Sequence, residues 1–158
     1  MELKVKNTRL ENFSDEKIDD LIGILMDAYQ EYPEYGEASR KQAKRYIKWL
    51  NKHSTFFKIL YHNHEPAGFV VGDSNWIDLK GENVGEIHEL SVKKEYWGKG
   101  YGDFLLNQVL KHFKEKGLKK ASLWVGEKNK RAIDFYKKHG FKETGLNYYG
   151  WLRMEKRL

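Results

Sequence analysis

The chain contains no cysteine, which removes disulfides, thiolate metal centres and cysteine nucleophiles together. Only 2 of its 158 residues are proline, and no repeated or low-complexity segment is present. No stretch approaches the roughly 20 apolar residues that a membrane-spanning helix needs. Met1 to Leu10 alternates charged and apolar side chains rather than forming a secretory leader. A soluble, cytoplasmic protein that does not engage membranes is therefore expected. The formal charge of +6 is a modest basic excess without a dominant basic run. With no recognisable reading element either, nucleic acid is not an expected partner. An anionic small molecule suits the same charge.

What is present is a globular composition, 40% hydrophobic and 15% aromatic, at a length that suits one domain spanning residues 1–158. Leu3 and Val5 alternate with charged neighbours and predict a strand over Met1 to Thr8. Ile18, Leu21, Ile22, Leu25 and Tyr29 recur at helical spacing after the cap-forming residues Asn12 to Asp15, and this helix should stop before Pro33. An acid- and tyrosine-rich loop, Glu31 to Glu37, leads to a second helix with Ala43, Ile47 and Leu50 on one side. Thr55 to Tyr61 and Ala67 to Val71 read as a hairpin, and Glu86 to Val92 as a further strand. Gly100 to Gly117 holds a helix with Phe104, Leu105, Val109, Leu110 and Phe113 inward. A strand at Ala121 to Val125, a helix at Asn129 to His139, and strands at Phe141 to Thr144 and Trp151 to Met154 complete the chain. The order predicts an α/β fold around a central mixed sheet.

The most informative segment is Trp97-Gly98-Lys99-Gly100-Tyr101-Gly102, between a strand and a helix. Alternating glycines can turn successive backbone N–H groups into one concavity, and a helix starting there adds its free amides and positive dipole end. Such a turn seats a pyrophosphate. It is neither the dinucleotide fingerprint, which needs a glycine where Asp103 stands, nor a P-loop, which needs Ser or Thr after Gly-Lys.

Leu90-Ser91-Val92, the connector Lys93 to Tyr96 and this glycine turn resemble the acetyl-CoA signature of the GNAT superfamily of N-acetyltransferases. Downstream, Asn129-x-x-Ala132-x-x-Phe135-Tyr136-x-x-x-Gly140-Phe141 is similar to that family's second cofactor segment. The resemblance implies the GNAT fold, a strongly twisted mixed sheet of about seven strands flanked by about four helices. It also implies acetyl-CoA as acetyl donor and direct transfer to an amine in a ternary complex. Leu90, Ser91, Val92, Trp97, Gly98, Lys99, Gly100, Tyr101, Gly102, Asn129 and Tyr136 are then the candidate cofactor-binding residues. The family's usual Arg or Gln is replaced here by Trp97, so Lys99 is the nearest candidate to supply charge. Asp103 is expected to face away from phosphate. A catalytically weak acetyl-CoA-binding regulator of the same fold is the alternative.

Transfer to an amine needs a proton acceptor, because an alkyl ammonium of pKa ~10 is not a nucleophile at neutral pH. Glu89 is the first candidate and Glu86 the second. Simple alternation puts Glu86 and His88 on one face and Glu89 on the other, but the resemblance implies a bulge in this strand that breaks the parity. Main-chain amides around Leu90 and Val92 are candidates for polarising the thioester carbonyl. Tyr136 matches the family's usual thiolate-protonating tyrosine. Asn129 lies about two turns earlier on the same helix face and also suits a plain N-cap. Tyr32 and Tyr35 of the first-helix loop, Tyr148 of the last hairpin and Glu89 are candidate acceptor contacts. Acids and aromatic faces suit a cationic amine such as a polyamine or amino-sugar, and a peptide or protein amine equally. His62 and His64 lack a third ligand, so no metal is expected. Homodimer formation is left open.

Overall fold

Among the described residues the sheet opens with β1, which covers Thr8–Asn12. The computed structural model describes residues 7–158, so nearly all of the strand expected over Met1 to Thr8 lies outside the described residues. The order continues α1 (Ile18–Ala28), α2 (Arg40–Lys52), β2 (Phe56–His62), β3 (Glu65–Ile77), β4 (Asn83–Val92), α3 (Tyr101–Glu115), β5 (Lys120–Gly126), α4 (Lys130–Lys138), β6 (Lys142–Tyr148) and β7 (Trp151–Arg157). From α1 onward this is the succession read from the sequence. The differences are in length. β3 and β4 both extend well into the segment between Val71 and Glu86 that had no assignment, and β6 and β7 each run three or four residues further than expected.

Two of the helices, α2 and α4, start where a side chain supplies the cap. Ser39 accepts from the Gln42 amide at the start of α2, and Asn129 from the Ala132 amide at the start of α4. Ile18, Leu21, Ile22 and Leu25 of α1 and Ala43, Ile47 and Leu50 of α2 are buried on one face of the sheet, over Phe57, Ile59, Phe69 and Val71. Leu105, Val109 and Phe113 of α3 and Ile133 and Tyr136 of α4 are buried on the other, over Val70, Ile87, Leu123 and Met154.

The strand order is β1-β2-β3-β4-β5-β7-β6. All neighbours are antiparallel except β4 and β5, which are parallel and paired only at Gly85↔Ala121 and Glu86↔Ser122. Beyond those residues the two strands part, leaving a wedge in the middle of the sheet. β4 also carries a bulge. Val71 faces Glu89 while Gly72 faces Ile87, so His88 is an extra residue. Partners across a ladder share a face. Glu89 therefore joins Val71 on the α1–α2 face, and Ile87 stays on the α3–α4 face. Glu86, opposite Asp73, is also on the α1–α2 face. The expected separation of Glu86 from Glu89 by simple alternation is thus corrected by the bulge.

Phe113 holds α3 close to the sheet. A Cβ at Gly85 would stand 2.4 Å from its ring, and one at Gly72 would meet Val109 at the same distance. Gly85→Ala is expected to overpack this contact and cost about 1–3 kcal/mol, read as a lower urea midpoint at unchanged slope. Combining it with Phe113→Leu should recover part of the loss. A Gly85→Ala protein as stable as wild type would refute this account of the α3 contact.

Candidate active site

The wedge opens into one cavity of about 950 Å³. β4 forms one wall, the N-terminal turns of α3 and α4 another, and the α1–α2 loop and the β6–β7 hairpin frame the mouth. Three groups of residues matter: a carboxylate on β4, a run of free amides at the start of α3, and a phenol on α4.

Glu89 is buried, yet its carboxylate is well supplied with donors. The Tyr46 hydroxyl donates to Oε1 at 2.7 Å, and those of Tyr29 and Ser91 donate to Oε2 at 2.7 and 2.6 Å. Burial pushes its pKa up from the ordinary value, and the Ser91, Tyr46 and Tyr29 hydrogen bonds oppose that rise by favouring the charged form. Three neutral donors leave the negative charge uncancelled. Glu86 is different. Arg153 of β7 forks onto both of its oxygens at 2.6 and 2.7 Å, and both residues are buried. Burial pushes the Glu86 carboxyl up to about 7, with Arg153 pulling the other way. His88 Nε2 donates to Asp73 Oδ2 (3.0 Å), and the ring lies edge-on to Trp49 and Trp76. Burial lowers its pKa, which keeps the imidazole neutral.

In the glycine turn, Gly98 and Gly100 adopt φ of +77° and +83°, conformations that side-chain-bearing residues rarely take, and open space surrounds both. Gly100 is the N-cap of α3. The amides from Gly98 to Asp103 make no backbone hydrogen bond, and all of these residues but Lys99 line the cavity. This fits a diphosphate. The side chains beside them are committed elsewhere. Tyr101 is buried with its hydroxyl on His62 Nδ1 at 2.7 Å. The Trp97 indole N–H donates to the Val92 carbonyl at 2.8 Å, and Arg131 sits over its ring at 3.6 Å. Asp103 is held by His139 of the α4 C-terminus. Lys99 is exposed and is not among the residues lining the cavity.

Tyr136 lies on the α4 wall, nearly buried, and its hydroxyl makes no hydrogen bond to another described residue. Burial and, second, the charge of Glu89 push the phenol's pKa well up, so the proton stays on oxygen until a strong base is near. Asn129 lines the cavity while capping α4, so both of its expected roles are compatible. Leu90, Ser91 and Val92 line the β4 wall, with the Ser91 hydroxyl turned back to Glu89. Tyr32, Tyr35 and Tyr148 all reach the cavity. Tyr35 is a fixed strut: its ring packs edge-on to Trp151 at 5.0 Å, and its hydroxyl accepts from the Lys128 amide at 3.0 Å. Tyr148 is mostly exposed at the hairpin. Among the described residues no group of three His, Asp or Glu is placed to hold a metal ion.

Sequence reasoning missed Tyr29, Tyr46, Arg131 and Arg153. Tyr29, the residue that caps the C-terminus of α1, continues the helix's apolar stripe in the sequence and reads as core. Only its polar tip, like that of Tyr46 beside Ile47, signals a buried partner.

Residues 18–141 match the acetyltransferase (GNAT) family. The chain is 37% identical to an uncharacterised N-acetyltransferase of Methanocaldococcus jannaschii over 98% of its own length and 69% of that protein. A crystal structure of a Pyrococcus horikoshii protein is similar at 36% identity and a TM-score of 0.85, covering 96% of this chain and 98% of that one. The PaiA N-acetyltransferase of Thermoplasma acidophilum, solved with coenzyme A, shares the fold at 22% identity and a TM-score of 0.76 over 96% of this chain and 99% of that one.

Removing the guanidinium from the Glu86 pair should strand a buried carboxylate. Arg153→Met is expected to cost about 3–5 kcal/mol at neutral pH. The folded-state pKa of Glu86, already raised, rises further without Arg153. The native state then holds its proton more tightly than the unfolded chain, so stability is lost as pH climbs. Urea denaturation should show the deficit relative to wild type growing as pH climbs above about 7, where the wild-type carboxyl has ionised and the variant's has not. A deficit independent of pH would mean that Glu86 does not carry it.

Proposed function

The chain belongs to the acetyltransferase (GNAT) family and is an acyltransferase, and on that premise we propose that it moves the acetyl group of acetyl-CoA to an amine by direct attack in a ternary complex. The observation that carries this reading is the pairing, in one cavity, of an uncancelled buried carboxylate on β4 with an unengaged phenol on α4. The six free amides of the glycine turn support a diphosphate-bearing donor.

Bound acetyl-CoA supplies a thioester whose carbonyl carbon accepts the amine. Glu89 takes a proton from the acceptor ammonium, directly or through a water, and so creates the free amine. Tyr29, Tyr46 and Ser91 hold its two oxygens in place and stabilise the charge it must carry beforehand. The β4 amides on the parted edge, around Leu90 and Val92, are the donors for negative charge building on the carbonyl oxygen. Tyr136 gives its proton to the sulfur as the carbon–sulfur bond breaks. In sum a carbon–nitrogen bond replaces the carbon–sulfur bond, one ammonium proton ends on the thiol and one reaches solvent. Asn129 and the glycine turn hold the donor, and Tyr32, Tyr35 and Tyr148 line the acceptor side. Glu86, bound by Arg153, secures β4 to β7 rather than exchanging protons. The uncancelled charge of Glu89 among aromatic faces favours a cationic amine acceptor, small or peptidic. The whole chain acts as one such domain.

Thiol release measured over an amine panel tests these roles. Glu89→Gln and Tyr136→Phe should each lower kcat by about 10²–10⁴-fold while donor affinity stays within a few-fold. Wild-type rates in both variants would remove the catalytic assignment.

The acid limb of kcat/KM should lie above the ordinary carboxylate range, because Glu89 is active only when deprotonated and its pKa is raised. Tyr46→Phe or Tyr29→Phe removes a donor to the ionised form. Each should therefore move that limb to higher pH with a smaller loss on the alkaline side. A limb that stays in place in both would show that Glu89 does not set it.

A further inference from the structure

Charge at the phosphate end of the cavity has to come from somewhere other than the glycine turn. Lys99 is the turn's only cation, and it is exposed outside the cavity wall. Lys94, 6.0 Å above the Trp97 ring, is paired with Glu31 at 2.9 Å. Arg131, in the first turn of α4, does line the cavity, with its guanidinium carbon 3.6 Å from the centre of the Trp97 ring. Among the described residues no carboxylate forms an ion pair with it. Asp103, the acid of the α3 first turn, is bound to His139.

We propose that Arg131, seated on the Trp97 indole, is the phosphate-binding cation of this chain and forms with it a subsite for a phosphate group of coenzyme A at the rim of the glycine turn. The inference rests on the acetyl-CoA reading above and assigns two residues that the reading leaves without a role. Trp97 is the platform and not the ligand, since its single N–H donor is spent on Val92. A guanidinium over an aromatic face keeps its N–H edge free for a forked contact to phosphate oxygens. The stack fixes the long side chain beforehand, so less rotamer freedom is lost on binding. The indole ring thus brings a cation from α4 to the place where the turn itself has none.

The test is isothermal titration of wild type, Arg131→Gln, Arg131→Lys, Trp97→Leu and Lys130→Gln with coenzyme A and with its 3′-dephospho form, after melting curves establish that each variant folds. Arg131 is exposed, and its replacement should leave the melting point unchanged. Arg131→Gln should weaken coenzyme A binding about tenfold or more, because a charge-assisted fork is lost. Arg131→Lys and Trp97→Leu should each show part of that loss. Lys130→Gln, a neighbouring cation outside the cavity wall, should bind as wild type. A loss confined to coenzyme A identifies the 3′-phosphate as the group held, and an equal loss with both ligands identifies the diphosphate. Arg131→Gln binding both ligands within about twofold of wild type overturns the proposal while the cofactor reading stands. Wild type binding neither ligand overturns both.

Discussion

Everything at the site depends on how β4 is shared. The strand pairs with β3 along most of its length but with β5 at only two positions. A parallel pair held at one end and open at the other is a wedge, and the polar backbone edge exposed inside it must find partners. In an interior that would be a defect. At a cleft wide enough for a ligand it becomes a row of donors and acceptors already in place. The bulge at His88 adds the second requirement. By inserting one residue it turns Glu89 toward α1 and α2 while Ile87 keeps its place under α3. One strand thus packs a core on one side and presents a carboxylate on the other.

The two buried glutamates of β4 show two solutions to the same electrostatic problem. Taking a carboxylate out of water costs several kcal/mol even after relaxation. Glu86 meets that cost with a full opposite charge, and the resulting pair is neutral as a unit. Glu89 meets it with three hydroxyl dipoles, which stabilise the anion without neutralising it. The first arrangement suits a tie between strands. The second leaves a negative centre in the cavity. Which glutamate does which follows from the surrounding strands and helices, through Arg153 in one case and Tyr29 and Tyr46 in the other.

That division explains what could be read in advance. The order of elements, the glycine turn and the face of each helix follow from local pattern: 3.6-residue stripes, capping side chains and glycines placed together. Ile18, Ile47 and Val109 needed no knowledge of their neighbours. The choice between Glu86 and Glu89 did, because a bulge is invisible to alternation and partners 43, 60 and 67 residues away leave no mark nearby. Tyr29 and Tyr46 were legible as buried side chains but not as hydroxyls aimed at a carboxylate. β3 and β4 beyond Val71 escaped notice because Gly72, Asp73, Ser74 and Asn75 look like a turn. There the sheet and α3 override local preference, since Gly72 and Gly85 make room for a helix. The substitution of Trp97 was visible as a departure, but its stacking partner comes from another helix.

The strut formed by Tyr35 has a consequence for how this cavity can diversify. Its ring lies against the bare backbone of Gly126, where even a methyl group would stand 2.3 Å from it. The α1–α2 loop at the cavity mouth is therefore anchored on the far bank of the wedge through a space only glycine leaves. The two positions are bound to vary together: a side chain at 126 evicts the tyrosine, and losing the tyrosine relieves 126 of its restriction. A change in acceptor preference that reshapes this loop would have to pass through both sites, which makes the pair a bottleneck in the divergence of related chains.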